Sequence, residues 1–238
     1  MTILDTGVKI VRNVGRFTFG DGAVSGVADL VASKRSDKSP HAVFLIDDYF
    51  KNEHYIASSL GAKPTDAVHF VSTVDEPTTQ GIDELVTVLK KSGHAEPATI
   101  VGFGGGITLD TAKAISNLLT NGGKAADYQG WDLVRVPGVH KIGVPTISGT
   151  GSEATRTCVM TNVETGLKLG MNSDFTVFDH VVLDPSLTRT VPRNQYFYTG
   201  MDAYIHCIEA LAGSYRNAIG DAYSRETVNL CRNVFLSN

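Results

Sequence analysis

The chain has 238 residues, 42% hydrophobic and 19% charged. That composition suits one large globular domain, or a domain with part of another, and excludes disordered and collagen-like classes. A formal net charge of −4, a pI near 5.9 and the lack of any Lys/Arg run leave no electrostatic footprint for nucleic acid or an anionic membrane, so small-molecule ligands are expected. Cys158, Cys207 and Cys231 show no C-x-x-C spacing, which indicates neither a disulfide framework nor a cysteine zinc site and fits a reducing cytoplasm. There is no basic-then-apolar start and no run of eighteen apolar residues, so a protein that is neither exported nor membrane-spanning is expected.

In chain order, residues 8–20 alternate apolar side chains with Gly15 and Gly20 and read as a strand or hairpin, a flap ahead of the main sheet. Residues 24–31 have helical spacing. A polar turn at 34–40 leads into AVFLIDD, a continuous apolar run closed by Asp47 and Asp48, which reads as a first parallel strand. Residues 52–60 read as a helix stopped by Gly61, AVHFV as a second strand, 81–91 as a helix stopped by Gly93, and ATIVGF as a third strand. This alternation predicts an α/β fold built from βαβ units. Residues 121–139 read as an irregular excursion, KIGVPT as a further strand, and 145–162 as a loop of small and hydroxylated residues that something approaches closely. One more strand is expected over 177–183, broken by Asp184-Pro185, and long helical spacing follows through 198–211 and 220–235. We place a domain boundary near Pro185, dividing the chain into 1–185 and 186–238.

The chain is organised around residues 98–119, a buried strand, then Gly104, Gly105 and Gly106, then a helix that starts at once with Thr108 as its expected N-cap. Three glycines permit positive φ and leave no Cβ between backbone and ligand, while the free N–H groups of the helix's first turn attract an anion such as a diphosphate. A tight turn with no ligand would also use glycines. The acidic strand end, Asp47, precedes this turn rather than following it, inverting the usual dinucleotide order. A carboxylate there accepts hydrogen bonds from a ribose and repels a 2′-phosphate; a helix cap is the alternative use of Asp47. Further on, Asp202 and His206 stand at i and i+4 of GMDAYIHCIEAL, one turn apart on one helix face, and supply half of a divalent-metal site or a solvated ion pair. His206 with Glu209 could form an acid–base pair, and His180 reads as structural. The sequence GTGSE has Thr150 where a serine-hydrolase elbow needs its nucleophile, so serine hydrolysis is not supported.

Taken together, GGGITLDTAK, PTISGTGSEAT, ETGLKLG, LDPSLTRTVP and GMDAYIHCIEA resemble, in order, the motifs of the iron-containing (group III) alcohol dehydrogenase family. The resemblance implies a Rossmann-like nucleotide-binding domain followed by an all-helical metal-binding domain of the dehydroquinate synthase-like architecture. It implies that Gly104, Gly105 and Gly106 approach the cofactor diphosphate with Asp110 and Lys113 bracing the turn, that Asp47 binds the ribose, and that Thr146, Thr150 and Lys168 contact the cofactor. It further implies NAD as cofactor, and iron or zinc held by Asp202 and His206 with two later histidines that these 238 residues do not contain, so the chain looks like the front part of a longer protein. The implied reaction is hydride transfer from an alcohol activated by the metal, in a cytoplasmic homodimer. Two motif positions depart from the pattern: Ile107 replaces a serine, and Glu76-Pro77-Thr78 stands where Asn-Pro-Thr is common. Residues 130–162 are similar to members acting on an eight-carbon sugar acid. A dehydroquinate synthase-type lyase, a glycerol dehydrogenase-like enzyme and a non-catalytic nucleotide-binding protein are the alternatives.

Overall fold

A computed structural model of the protein describes residues 12–53, 55–214 and 216–235; part of the expected first strand, residues 8–11, and His54 lie outside them. The chain separates into two compact units, 13–146 with 152–187, and 147–151 with the residues from 188 onward.

The larger unit is a doubly wound α/β domain. Its strands are β1 (Arg16–Phe19), β2 (Val43–Asp47), β3 (Ala67–Val71), β4 (Ile100–Gly104), the two-residue β5 (Gly130–Trp131), β6 (Lys141–Pro145), β7 (Thr157–Asn162), β8 (Leu167–Asn172) and β9 (His180–Leu183). Six of them form one sheet in the order β1-β9-β6-β4-β2-β3, with every neighbouring pair parallel. The helices are α1 (Val27–Lys34), α2 (Ile56–Ser59), α3 (Thr79–Lys91) and α4 (Gly106–Asn121). Alternate residues of β2 explain its unbroken apolar run. Val43 and Leu45 pack with Ile82 and Val86 of α3 and Leu109 and Ile115 of α4, whereas Phe44 and Ile46 pack with Val27 and Val31 of α1 and Ile56 of α2. Helices on both faces bury such strands completely. From β2 the chain steps outward to β3, then returns to the other side of β2 as β4. The crevice between the carboxyl ends of β2 and β4 is therefore the topological switch point, the position where open α/β sheets bind ligands.

The α/β class follows the sequence reading, and several details correct it. Residues 16–19 are no flap: they pair parallel with β9 as an edge strand of the main sheet, a long-range partnership that local alternation does not reveal. The helix expected over 52–60 is confined to Ile56–Ser59; ahead of it Asp47 caps a short 3-10 turn, Asp48–Phe50, and the Glu53 and Ile56 N–H groups make turn hydrogen bonds to the Phe50 and Glu53 carbonyls. Helix α3 begins at Thr79, two residues early, where the Thr78 hydroxyl accepts the Gly81 N–H at 3.0 Å. The loop expected over 145–162 ends at Arg156. Beyond it β7 pairs antiparallel with β8 from Thr157↔Asn172 to Asn162↔Leu167, and β5 joins them in a second, three-stranded sheet.

The smaller unit contains α5 (Arg193–Ala212) and α6 (Ala218–Phe235), packed on each other. Among the described residues no helix is long and apolar enough to cross a membrane.

Candidate functional site

The glycine turn lies at the end of β4. Gly104 has φ +156°, and a Cβ there would sit 2.8 Å from the Asp47 Cβ and 2.8 Å from the Thr108 Oγ1, so only glycine fits between the two neighbouring elements. Gly105 is the N-cap of α4 with φ −82°, and Gly106 is the first helical residue. Positive φ is thus confined to Gly104 of the three. Thr108 is not the cap: it lies inside the first turn, fully buried, with no hydrogen-bond partner for its hydroxyl among the described residues. Helix α4 consequently starts without a side-chain cap, which leaves its first N–H groups for a ligand.

Asp47 and Thr146 flank this turn from the two adjacent strands. The Thr146 N–H donates to the Gly104 carbonyl at 3.1 Å. The Asp47 carboxylate accepts the Tyr49 N–H at 3.0 Å, so it does cap the 3-10 turn after β2. Burial pushes the Asp47 carboxyl up from the usual carboxylate range, the Tyr49 and Gly105 N–H groups oppose the rise, and the Asp48 charge adds to it. The capping carboxylate stands beside the glycine turn at the switch point.

Asp110 and Lys113 lie one turn further along α4 and tie it to the residues after β6. The Lys113 ammonium is 0% exposed and donates to the Thr157 carbonyl at 2.8 Å, to Thr155 Oγ1 at 3.0 Å, to the Thr155 carbonyl at 3.1 Å and to the Ser152 carbonyl. Asp110 accepts the Ser152 hydroxyl and the Val159 N–H, the latter at 2.9 Å, and sits 3.9 Å from Lys113. Burial drives the Lys113 pKa down and the Asp110 pKa up, each restrained by the other's charge. These two side chains serve architecture, holding the Ser152–Ala154 turn and β7 on α4.

The remaining expected contacts are spread more widely. Lys168 is exposed on β8 and pairs with the Glu76 carboxylate. Thr150 is exposed and belongs to the smaller unit. Sequence reasoning missed Thr73, whose hydroxyl lies 3.3 Å from Asp48 Oδ1 and 3.5 Å from Asp47 Oδ1, and it missed the partnership of Glu76 with Lys168. The replacement of asparagine by Glu76 was the available signal for the latter.

On α5, Asp202 Oδ2 and His206 Nδ1 are 3.5 Å apart, and both side chains are about half exposed. Asp202 Oδ2 is buried beneath its neighbours and has no hydrogen-bond donor among the described residues. A cation would satisfy that oxygen, and the pair offers one hard and one borderline donor from a single face. Among the described residues no third His, Cys, Asp or Glu joins them, so the fit extends to two ligands. His180, by contrast, is the first residue of β9 and its Nε2 lies 2.8 Å from the Thr18 hydroxyl, a structural contact.

Comparison with known proteins agrees with this arrangement. The family model for iron-containing alcohol dehydrogenase matches residues 15–185. Sulfoacetaldehyde reductase of Bilophila wadsworthia is 38% identical over 155 residues, 65% of this chain and 39% of that protein, and NAD-dependent methanol dehydrogenase of Bacillus methanolicus is 31% identical over 175 residues, 74% and 45% respectively. Among solved structures, an alcohol dehydrogenase from Oenococcus oeni superposes with a TM-score of 0.83 at 25% identity, covering 95% of this chain and 59% of the other, and a 1,3-propanediol oxidoreductase with a TM-score of 0.80 at 25% identity, covering 95% and 58%. The chain spans about half the length of the curated relatives it matches. With its glycine turn at the switch point of a parallel sheet and a family model matched from the edge strand β1 through β9, the chain belongs to the iron-containing alcohol dehydrogenase family.

Proposed function

We propose that this protein interconverts a small alcohol and its aldehyde or ketone by hydride transfer with NAD, assisted by a divalent metal. The observation that carries the reading is the convergence of Asp47, Gly104–Gly106 and Thr146 on the carboxyl ends of three adjacent parallel strands. In this reading residues 1–185 form the nucleotide-binding domain and 186–238 open a helical metal-binding domain. When bound, the nicotinamide accepts or gives the hydride and a divalent metal, iron or zinc, supplies the Lewis acidity that brings an alcohol's pKa toward neutrality.

The chain's own residues do the holding. Gly104 lets the backbone reverse beneath a diphosphate, the first N–H groups of α4 face its charge, and Asp47 accepts ribose hydroxyls while repelling a 2′-phosphate. Lys113 and Asp110 keep the 152–157 segment on α4, and Asp202 and His206 supply two metal ligands. No nucleophilic side chain is required.

The substrate class rests on the relatives, whose names give methanol, 1-propanol and sulfoacetaldehyde. The eight-carbon sugar acid suggested by residues 130–162, the substrate of a 3-deoxy-manno-octulosonate 8-oxidase, belongs in the same panel as an anionic alcohol. Support for a cytoplasmic homodimer is the family resemblance. NADH formation should be followed with methanol, 1-propanol and the octulosonate, and NADH consumption with sulfoacetaldehyde, together with metal content. With two metal ligands found among the described residues, the 238-residue chain should hold metal weakly and turn over slowly. Full activity and metal retention in His206→Ala would overturn the metal assignment, and a form that never reduces NAD would favour the lyase or the non-catalytic alternative.

A further inference from the structure

Residues 72–78 leave the carboxyl end of β3, the strand beside β2, and lead from the Asp47 end of the crevice to the second sheet. At their start the Thr73 hydroxyl reaches the Asp47 and Asp48 carboxylates, at 3.5 and 3.3 Å. At their end the Pro77 carbonyl accepts the Thr161 N–H at 2.8 Å and Thr78 bridges to Thr161, which anchors the segment on the second sheet. Between these fixed points the Glu76 carboxylate holds the ammonium of Lys168, which projects from β8 opposite Thr161. Lys168 also acts on Asp110, one turn into α4, where its charge helps restrain the carboxyl's rise. The other lysine of this region, Lys113, has its N–H groups committed to buried oxygens and is closed to a ligand. The Lys168 and Glu76 side chains are 55% and 49% exposed, so a ligand can reach both.

We propose that Glu76 sets the affinity of the site for its dinucleotide by competing with it for Lys168. The proposal rests on the NAD reading above. An anion approaching Lys168 meets an ion pair of zero net charge instead of a free cation, and it must share or open that pair. A neutral side chain at position 76 leaves the ammonium unopposed, so the bound cofactor is held more tightly and exchanged more slowly. The effect acts through Lys168, which makes Glu76 a positioning residue.

The test is NADH titration by fluorescence on the full chain, at low and at high ionic strength, for Glu76→Gln, Glu76→Asp, Lys168→Met and the Glu76→Gln/Lys168→Met pair, with thermal melts as the folding control. Glu76→Gln should bind NADH about 3–10-fold more tightly at low salt, the size expected for removing one like charge at a partly solvated site, and the gain should shrink at high salt. Glu76→Asp should keep the unmodified affinity, and the double variant should bind no better than Lys168→Met alone. A merely structural Glu76 would show no dependence on Lys168. Unchanged or weaker binding in Glu76→Gln, or a gain that survives Lys168→Met, overturns the proposal. Absence of NADH binding by the unmodified chain overturns the cofactor reading beneath it, and the proposal with it.

Discussion

The first turns of α4 and the middle of α5 each carry charged side chains in a family motif, yet they are built in opposite ways. On α4, Lys113 is sealed from water and its donors face three carbonyls and two hydroxyls, while Asp110 receives a hydroxyl and a backbone N–H. On α5, Asp202 and His206 are about half exposed and, among the described residues, pair with each other. A charge buried that deeply is tolerated only when fully wired. The first pair therefore belongs to the fold, and the second is free to serve a ligand.

The largest expected effect breaks the wired region. Lys113→Met should lower unfolding free energy by about 3–5 kcal/mol, the cost of leaving one partner of a buried network uncompensated, as read by urea denaturation. Adding Asp110→Asn should recover part of that loss, since the stranded carboxylate is removed. Next comes Gly104→Val, which places a branched side chain at φ +156° against Asp47 and Thr108; strain and overpacking together should cost about 2–4 kcal/mol and distort the turn.

His140, at the amino end of β6, gives an intermediate case. Burial lowers its pKa from 6.5 to about 4, with Asp179 opposing, while its Nδ1 sits 2.9 Å from the Thr99 hydroxyl. In the unfolded chain the imidazole takes a proton below pH 6.5, whereas in the folded chain it stays neutral until about pH 4. Stability should therefore fall as pH drops through that window, and His140→Gln should flatten the fall by about 1 kcal/mol after allowance for partial exposure. The smallest effect sharpens the contrast: His206→Ala should change stability by no more than about 0.5 kcal/mol while lowering metal uptake.

Much of the larger unit was legible because strands buried on both faces announce themselves as apolar runs: AVFLIDD contains β2 and ATIVGF covers β4 up to its last residue, Gly104, while AVHFV coincides with β3 although that edge strand is largely exposed. The hairpin of β7 and β8 was not. On β7 buried Cys158 and Met160 alternate with partly exposed Thr157, Val159 and Thr161, and the small polar side chains among them imitated a loop. Strand β1 was misplaced because its pairing partner lies more than 160 residues away. At the site, the glycines and Asp47 could be picked out by type and spacing, but not their meeting at the switch point, which depends on strand order. Glu76 looked like a simple departure from a motif until β8 brought Lys168 to it.

The central claim is that the turn between β4 and α4, flanked by Asp47, is a site for NAD. Calorimetric titration of NAD and NADP into the unmodified chain, Asp47→Ala and Gly105→Val tests it most directly. The account predicts tighter binding of NAD than NADP by the unmodified chain, a narrowed gap in Asp47→Ala, and no binding of either by Gly105→Val. Equal affinities in the unmodified chain, or unaltered binding in Gly105→Val, would contradict it.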